Sequence, residues 1–229
     1  MTEPLRHSYS SISQFEKCPK RFWHQRIIKD VVDKGGEASI YGDRVHKALE
    51  LRLKEGTELP KDIAKHEPIC LAVEAMKMHN ATLSLEQELV LDKELNPTTW
   101  WADEAWMRSK LDVMILDGDK GVSLDWKSGK RRPDFFQLEV TVVQMFVHYP
   151  ELTKINTAFV WLQNNEMDSE IYTRAKDFEQ LKAKLIKKTE RIEEAVIEDV
   201  WPAKPGPLCN YCPAKNICAY AELNSRRRW

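Results

Sequence analysis

Asp125 and Lys127 stand two residues apart in Val122-Ser-Leu-Asp-Trp-Lys-Ser-Gly129, a segment whose alternation predicts a β-strand. Residues at that spacing point to one face of a strand. A second carboxylate, Asp112, lies upstream in Lys110-Leu-Asp-Val-Met-Ile115, and the turn Asp117-Gly-Asp-Lys-Gly121 would fold it back beside them. Carboxylates from adjacent strands can hold a hard divalent cation, while a neighbouring lysine orients the attacking water or offsets charge on a phosphate. The pattern therefore suits metal-dependent phosphodiester hydrolysis. Taken alone, Asp-x-Lys on a strand is more often a surface ion pair, so the surrounding residues decide.

The cysteines add a second chemistry. Cys209, Cys212 and Cys218 form a C-x2-C-x5-C run in a Pro-rich tail, and Cys18 sits in a short polar break flanked by Phe15 and Phe22. In a reducing compartment this spacing points to a metal or cluster rather than to disulfides. Four thiolates suit tetrahedral zinc or a [4Fe-4S] cluster, and spacing alone does not separate the two. Closed by Cys18, the set would staple the chain's ends together. Cys70, in the apolar run Ile69-Cys-Leu-Ala-Val73, reads as a buried core residue.

The 229 residues carry a net charge of −1, with 42% hydrophobic and 31% charged residues, as in ordinary globular proteins. That balance argues against non-specific coating of nucleic acid, which needs a large excess of Lys and Arg. No apolar run approaches a membrane span, and Glu3, Arg6 and His7 interrupt any secretory h-region, so a cytoplasmic protein without a membrane partner is expected. Basic residues do cluster locally, at Lys127, Lys130, Arg131 and Arg132 and again at 226–228. Beside a metal site such a run suits phosphate contact.

These residues need elements to position them. Ser8 to Ser13 offer N-caps for an amphipathic segment from about Ser13 to Lys29. Helices are predicted over about Tyr41–Lys54, with Val45, Leu49 and Leu53 as the apolar stripe and His46 at its margin, and over Pro68–Met78. Strands are predicted at Leu85–Leu91, Ala105–Leu116 and Gly121–Trp126 as an antiparallel meander, then at Thr157–Gln163 and Ser169–Thr173. A helix over Pro133–His148 carries Gln137 and Gln144 on nearly one face. A long final helix, Ala175–Glu198, buries Leu181, Leu185, Ile192 and Val196. Together these describe one α/β domain over residues 1–229, a mixed central sheet flanked by helices. It would comprise an N-terminal segment at about 8–40, a core at about 41–175, and a C-terminal helix with cysteine tail at about 176–229.

In order and completeness, Gly42-x3-His46, Asp112, Asp125-x-Lys127 and a Gln-bearing helix resemble the RecB-like branch of the PD-(D/E)XK nuclease superfamily. Ser8-Tyr-Ser10 leading to Cys18-Pro19, and Gly206-Pro-Leu-Cys-Asn-Tyr-Cys-Pro213 leading to Cys218, resemble its iron–sulfur-stapled members, among them CRISPR-adaptation nucleases and the nuclease domain of AddB-type complexes. The resemblance implies a restriction-endonuclease-like core whose chain ends are joined by a [4Fe-4S] cluster on Cys18, Cys209, Cys212 and Cys218. It implies Mg²⁺ or Mn²⁺ held by His46, Asp112, Asp125 and the Trp126 carbonyl, with Lys127 as catalytic lysine. Glu86 occupies the place of a supporting acidic residue. The family's Gln-x3-Tyr is degenerate here, since Thr141 follows Gln137 and His148 follows Gln144 at that spacing; Gln137 is the first choice for a substrate or ligand-shell contact and Gln144 the second. Ser109 stands where a glycine is frequent.

The activity so implied is hydrolysis of DNA by an exonuclease, leaving a 5′-phosphate and a 3′-hydroxyl, in recombination, repair or end processing. Lys130, Arg131, Arg132 and Gln144 would contact the nucleic acid, and Trp100, Trp101 or Phe135 could stack on unpaired bases. A helicase, recombinase or adaptation complex would be the partner. The competing reading is a catalytically silent DNA-end-binding or assembly subunit. A zinc-stapled protein without nuclease activity is a third.

Overall fold

The computed structural model describes residues 5–76 and 81–221. The basic run at 226–228 and the end of the expected helix at Met78 lie outside the described residues. In chain order the elements are α1 (Tyr9–Lys17), α2 (Pro19–Phe22) with a π-helical turn to Ile27, α3 (Glu37–Glu55), α4 (Glu67–Met76), β1 (Thr82–Leu91), β2 (Met107–Asp117), β3 (Lys120–Lys127), α5 (Phe135–His148), β4 (Lys154–Trp161), β5 (Glu166–Thr173) and α6 (Arg174–Glu198). No helix among the described residues is long and apolar enough to cross a membrane. The chain divides into two compact units, Met1–Arg6 with Gly35–Lys184, and His7–Lys34 with Leu185–Trp229.

The first unit is a five-stranded sheet in the order β1-β2-β3-β4-β5. The first three strands form the expected antiparallel meander, β4 joins β3 in parallel, and β5 returns antiparallel. A two-residue loop joins β2 to β3 because Gly118, at φ +56°, supplies the left-handed backbone that a tight hairpin needs at its first position. The parallel pairing of β3 and β4 requires a crossover, and α5 provides it.

Helices cover both faces of this sheet. On one, Val45 and Leu49 of α3 and Cys70 and Val73 of α4 pack with Val113, Ile115, Leu124, Trp126, Ala158 and Val160. On the other, Leu138 of α5 packs with Phe159 and Trp161. Successive β4 residues thus divide between the two layers, as a strand buried on both faces requires. Burial pushes the Cys70 thiol up to about 11, which makes it an inert core residue.

In the second unit, Ser8 caps α1 through a capping box with Ser11. Phe15, Phe22 and Trp201 form an aromatic cluster with centroids 5.6–6.4 Å apart, and Lys204 Nζ donates to the Glu16 carbonyl at 2.7 Å. The amphipathic stretch expected over Ser13–Lys29 is broken at Cys18, whose extended backbone precedes Pro19 at the start of α2. The buried stripe of α6 also differs from expectation. Val196 is 41% exposed, while Thr189 and Ala195 are buried. Thr189 fits because its hydroxyl donates to the Ile186 carbonyl at 2.8 Å.

Candidate metal-ion active site

The site forms where the meander opens. The β2–β3 ladder runs from Asp117↔Lys120 to Val113↔Leu124 and stops there. One residue further, Asp112 Oδ2 accepts the Trp126 backbone N–H at 2.7 Å, so a side chain replaces the missing ladder bond. The β1–β2 register passes from Leu85↔Val113 to Gln87↔Leu111 and skips Glu86 and Asp112.

At this break the side-chain alternation slips by one residue. On the near side, Leu83, Leu85, Val113 and Ile115 pack into the core with Val45 and Leu49 of α3. Beyond it, Glu86, Lys110 and Asp112 open into a cavity of about 330 Å³ lined by Asp43, His46, Lys47 and Glu50 of the same helix. Odd positions face α3 before the break and even positions after it. Glu86 absorbs the change with φ +52°, a left-handed conformation uncommon for a residue with a side chain. Such strain concentrates at functional positions.

His46 Nδ1 lies 3.0 Å from Asp112 Oδ1, and ligand atoms of His46, Glu86 and Asp112 all fall within 4.8 Å of one another. An imidazole and two carboxylates form a donor set suited to a divalent cation. Lys110 Nζ pairs with Glu86 Oε2 at 2.5 Å. Burial opposes protonation of His46, but the hydrogen bond and charge of Asp112, aided by Asp125 and Glu86, outweigh it and raise its pKa.

Asp125 and Lys127 stand side by side on β3, with Asp125 Oδ2 2.6 Å from Lys127 Nζ. Gln137, near the start of α5, closes the group. Its Nε2 donates to Asp125 Oδ1 at 2.6 Å and its Oε1 accepts from Lys127 Nζ at 2.9 Å. The Phe159 ring lies 5.1 Å from the ammonium, placed there by the parallel register that pairs Phe159 with Asp125. Burial, against the pull of Lys127 and with the added charge of Asp112, pushes the Asp125 carboxyl up to about 6. A carboxylate held up in this way is short of positive charge, which a bound cation would supply.

The structure therefore brings His46, Asp112 and Glu86 into one cluster and Asp125, Lys127 and Gln137 into another, joined through Asp112 and the Trp126 backbone. Gly42 is needed because a Cβ there would meet Ser128 Oγ at 3.0 Å, which lets α3 approach the end of β3. Lys130, Arg131 and Arg132 are exposed, but Arg131 is committed to Asp168 and Glu166 at 2.9 Å. Gln144 does not reach the surface. It is fully buried and donates to the Leu89 and Met107 carbonyls at 2.9 and 3.3 Å, so it ties α5 to the sheet and has no face to offer a nucleic acid. Phe135 is packed against the α5–β4 core, whereas Trp101 is 80% exposed. Sequence reasoning missed Phe159 and the Lys110–Glu86 pair, both products of strand register without a local signal.

In the second unit, Cys18, Cys209, Cys212 and Cys218 line one small cavity together with Arg21 and His24, and all four are free thiols. Burial raises the Cys212 pKa, and the neighbouring Cys18 and Cys209 add to the shift. The Gly206 N–H donates to Cys209 Sγ at 3.4 Å. Four convergent sulfurs fit a thiolate-held metal or cluster.

A mixed sheet flanked by helices, opened beside a histidine, paired carboxylates and an Asp-x-Lys strand, is the architecture of a metal-dependent nuclease. The family model described as PD-(D/E)XK nuclease superfamily matches residues 6–219, and the chain belongs to that superfamily. Among solved structures it is similar to a "putative exonuclease" from Eubacterium rectale, with 14% identity, a TM-score of 0.55, and coverage of 98% of this chain and 90% of that one. It also matches a protein named SSO0001 at 12% identity and a TM-score of 0.43, covering 96% of this chain and 88% of that one. No curated protein matches.

Proposed function

We propose that the protein is a Mg²⁺- or Mn²⁺-dependent deoxyribonuclease of the RecB-like branch that processes DNA ends or single strands in recombination or repair. The observation that carries this reading is the adjacency of the His46–Glu86–Asp112 cluster to the Asp125–Lys127–Gln137 triangle across the Trp126 backbone. His46, Asp112 and Asp125, with Glu86 and the Trp126 carbonyl, would hold the cation. A cation there supplies Lewis acidity, lowering the pKa of water and offsetting charge on the scissile phosphate.

The chain's own groups do the positioning. Lys127, anchored by Gln137 Oε1 and Asp125, directs its ammonium at the attacking water and at the phosphate oxygen that gains charge in the transition state. Gln137 fixes both partners through its two amide ends, which keeps Lys127 from swinging into solvent. Water oxygen forms a bond to phosphorus as the bond from phosphorus to the 3′ oxygen breaks. The leaving oxygen takes a proton and departs as a 3′-hydroxyl, and the other product retains a 5′-phosphate.

The four cysteines support a [4Fe-4S] staple that joins the two chain ends within the second unit. Structural zinc on the same four thiolates is the alternative. A helicase, recombinase or adaptation complex would supply DNA ends.

End-labelled single- and double-stranded DNA, incubated with anaerobically purified protein and Mg²⁺ or Mn²⁺, tests the reading against Lys127→Ala. Cleavage that disappears in the variant, with folding and metal binding retained, is the expected result. Equal cleavage by both proteins would remove Lys127 from the mechanism, and no cleavage under any condition would favour a silent end-binding subunit.

A further inference from the structure

Arg108 stands on β2 four residues before Asp112, on the face that also carries Lys110. At about 3.3 Å per residue this places it roughly 13 Å along the strand from the candidate metal cluster. Among the described residues no group accepts a hydrogen bond from its buried Nε or Nη2, and the buried Nε of Arg6 is equally without an acceptor. Arg6 lies close enough for its charge to act on Arg108. Burial lowers the Arg108 pKa and the charge of Arg6 lowers it further, with Glu88, which pairs with Lys110 across the β1–β2 ladder, opposing them. Lys110, the next cation on the strand, is already paired with Glu86.

Indole rings cover the Arg108 guanidinium where acceptors would be expected, with its centre 5.2 Å from the Trp100 ring and 5.7 Å from that of Trp101. Stacking on an indole face partly offsets the charge but satisfies no N–H in the guanidinium plane. Trp101 is 80% exposed, the most exposed tryptophan described. Adjacent guanidiniums without acceptors are matched to phosphate oxygens, and an exposed indole beside them offers a face on which a base can stack.

We propose that Arg6, Arg108, Trp100 and Trp101 form a binding site for the phosphodiester backbone and an unpaired base of a nucleic-acid strand, a short way along that strand from the bond to be cut. The inference rests on the nuclease reading and adds to it where the uncut part of the substrate is held. The exposed Trp101 indole turns to take the base, and that movement uncovers the guanidinium N–H groups, buried in the free protein, to the phosphate. The orphaned N–H groups find acceptors only when the strand is bound.

The test is the affinity of a fluorescein-labelled single-stranded oligonucleotide, measured by anisotropy in EDTA over a range of salt, for the wild type, Arg108→Met, Arg6→Gln and Trp101→Ala. Each arginine variant should weaken binding and reduce the slope of log K against log [salt] by about 0.7, the value for one lost phosphate contact on a single strand. Trp101→Ala should weaken binding about 5- to 150-fold with the slope unchanged, as loss of one stacked base does. Hydrolysis of bis(p-nitrophenyl) phosphate, which presents a single diester to the active centre, should stay at the wild-type rate in all three. Should Arg108→Met unfold, Arg6→Gln and the exposed Trp101→Ala carry the test.

A wild type that hydrolyses the small diester and binds the strand, with affinity and slope indifferent to these substitutions, overturns this site and leaves the nuclease reading standing. A purely structural indole–guanidinium stack predicts that pattern too, with a lower melting temperature for Trp101→Ala. A wild type that binds no strand overturns both proposals.

Discussion

Glu86 holds a left-handed backbone and a candidate ligand position at once, so substitutions there should separate strain from function. Glu86→Ala removes the carboxylate and keeps the strain. Glu86→Gly removes both. A residue with a Cβ in the left-handed region costs about 1–2 kcal/mol, while glycine's extra freedom in the unfolded chain costs back about 0.5–1 kcal/mol. The difference leaves Glu86→Gly more stable than Glu86→Ala by up to about 1.5 kcal/mol, centred near 0.8. The lost pairing with Lys110 and the relief of carboxylate repulsion are common to both variants and cancel. Urea unfolding in EDTA measures the difference, and for a chain of this size about 1 kcal/mol corresponds to a 2–4 °C shift in melting temperature. In parallel, both variants should need more Mn²⁺ than the wild type for half-maximal cleavage, and to the same extent. An alanine variant as stable as the glycine variant would refute the strain argument. Unchanged metal dependence would remove Glu86 from the site.

Gln137→Ala should lower kcat with little effect on metal affinity, because it unties Lys127 and Asp125 without removing a ligand; a cleavage assay against a Mn²⁺ titration separates the two, and a loss confined to metal affinity would contradict it. In EDTA, Asp125 should make the fold more stable at pH 5 than at pH 7.5. Its folded pKa of about 6 lies above the ordinary carboxyl value of 3.8, so the stabilising protonated form is lost as pH rises through 6, a contribution of at most about 3 kcal/mol. Asp125→Asn should lack that component in a pH series of urea melts, and an identical pH profile would show that burial does not perturb the carboxyl. Cys212→Ser should abolish absorbance near 400 nm in anaerobic preparations and lower stability; a colourless but fully stable variant would show that the cysteines are no staple.

The Asp125–Lys127 pair was legible because a strand repeats every two residues and needs no tertiary information to place two side chains together. His46 was legible at the margin of the α3 stripe for the same kind of reason, since Val45 and Leu49 fix which way the helix faces. Gln144 misled because it lies seven residues from Gln137 on nearly the same helix face. That face runs from the open site at the start of α5 to the buried carbonyls of Leu89 and Met107 two turns later, and helical spacing does not report how exposure changes along the axis. The left-handed Glu86 had no signal, as glutamate is not a residue that favours positive φ. The approach of Arg6 to Arg108 joins positions about a hundred residues apart in sequence, which no local pattern encodes.

The slip of alternation at Glu86 and Asp112 explains how one helix serves both core and chemistry. A regular β2 would send Asp112 to the opposite face from Val113. The break lets both point towards α3, where Val45 and Leu49 receive the apolar residues and His46 and Glu50 receive the polar ones. Core packing therefore sets the depth of His46. Truncating Leu49, which is fully buried, would leave a cavity one turn from His46 on the same helix, and a shift of α3 into that cavity would move the imidazole relative to Asp112 without touching any candidate ligand. The geometry of the site is in this sense a property of the α3–sheet interface, and the broken ladder is the local irregularity that makes the two compatible.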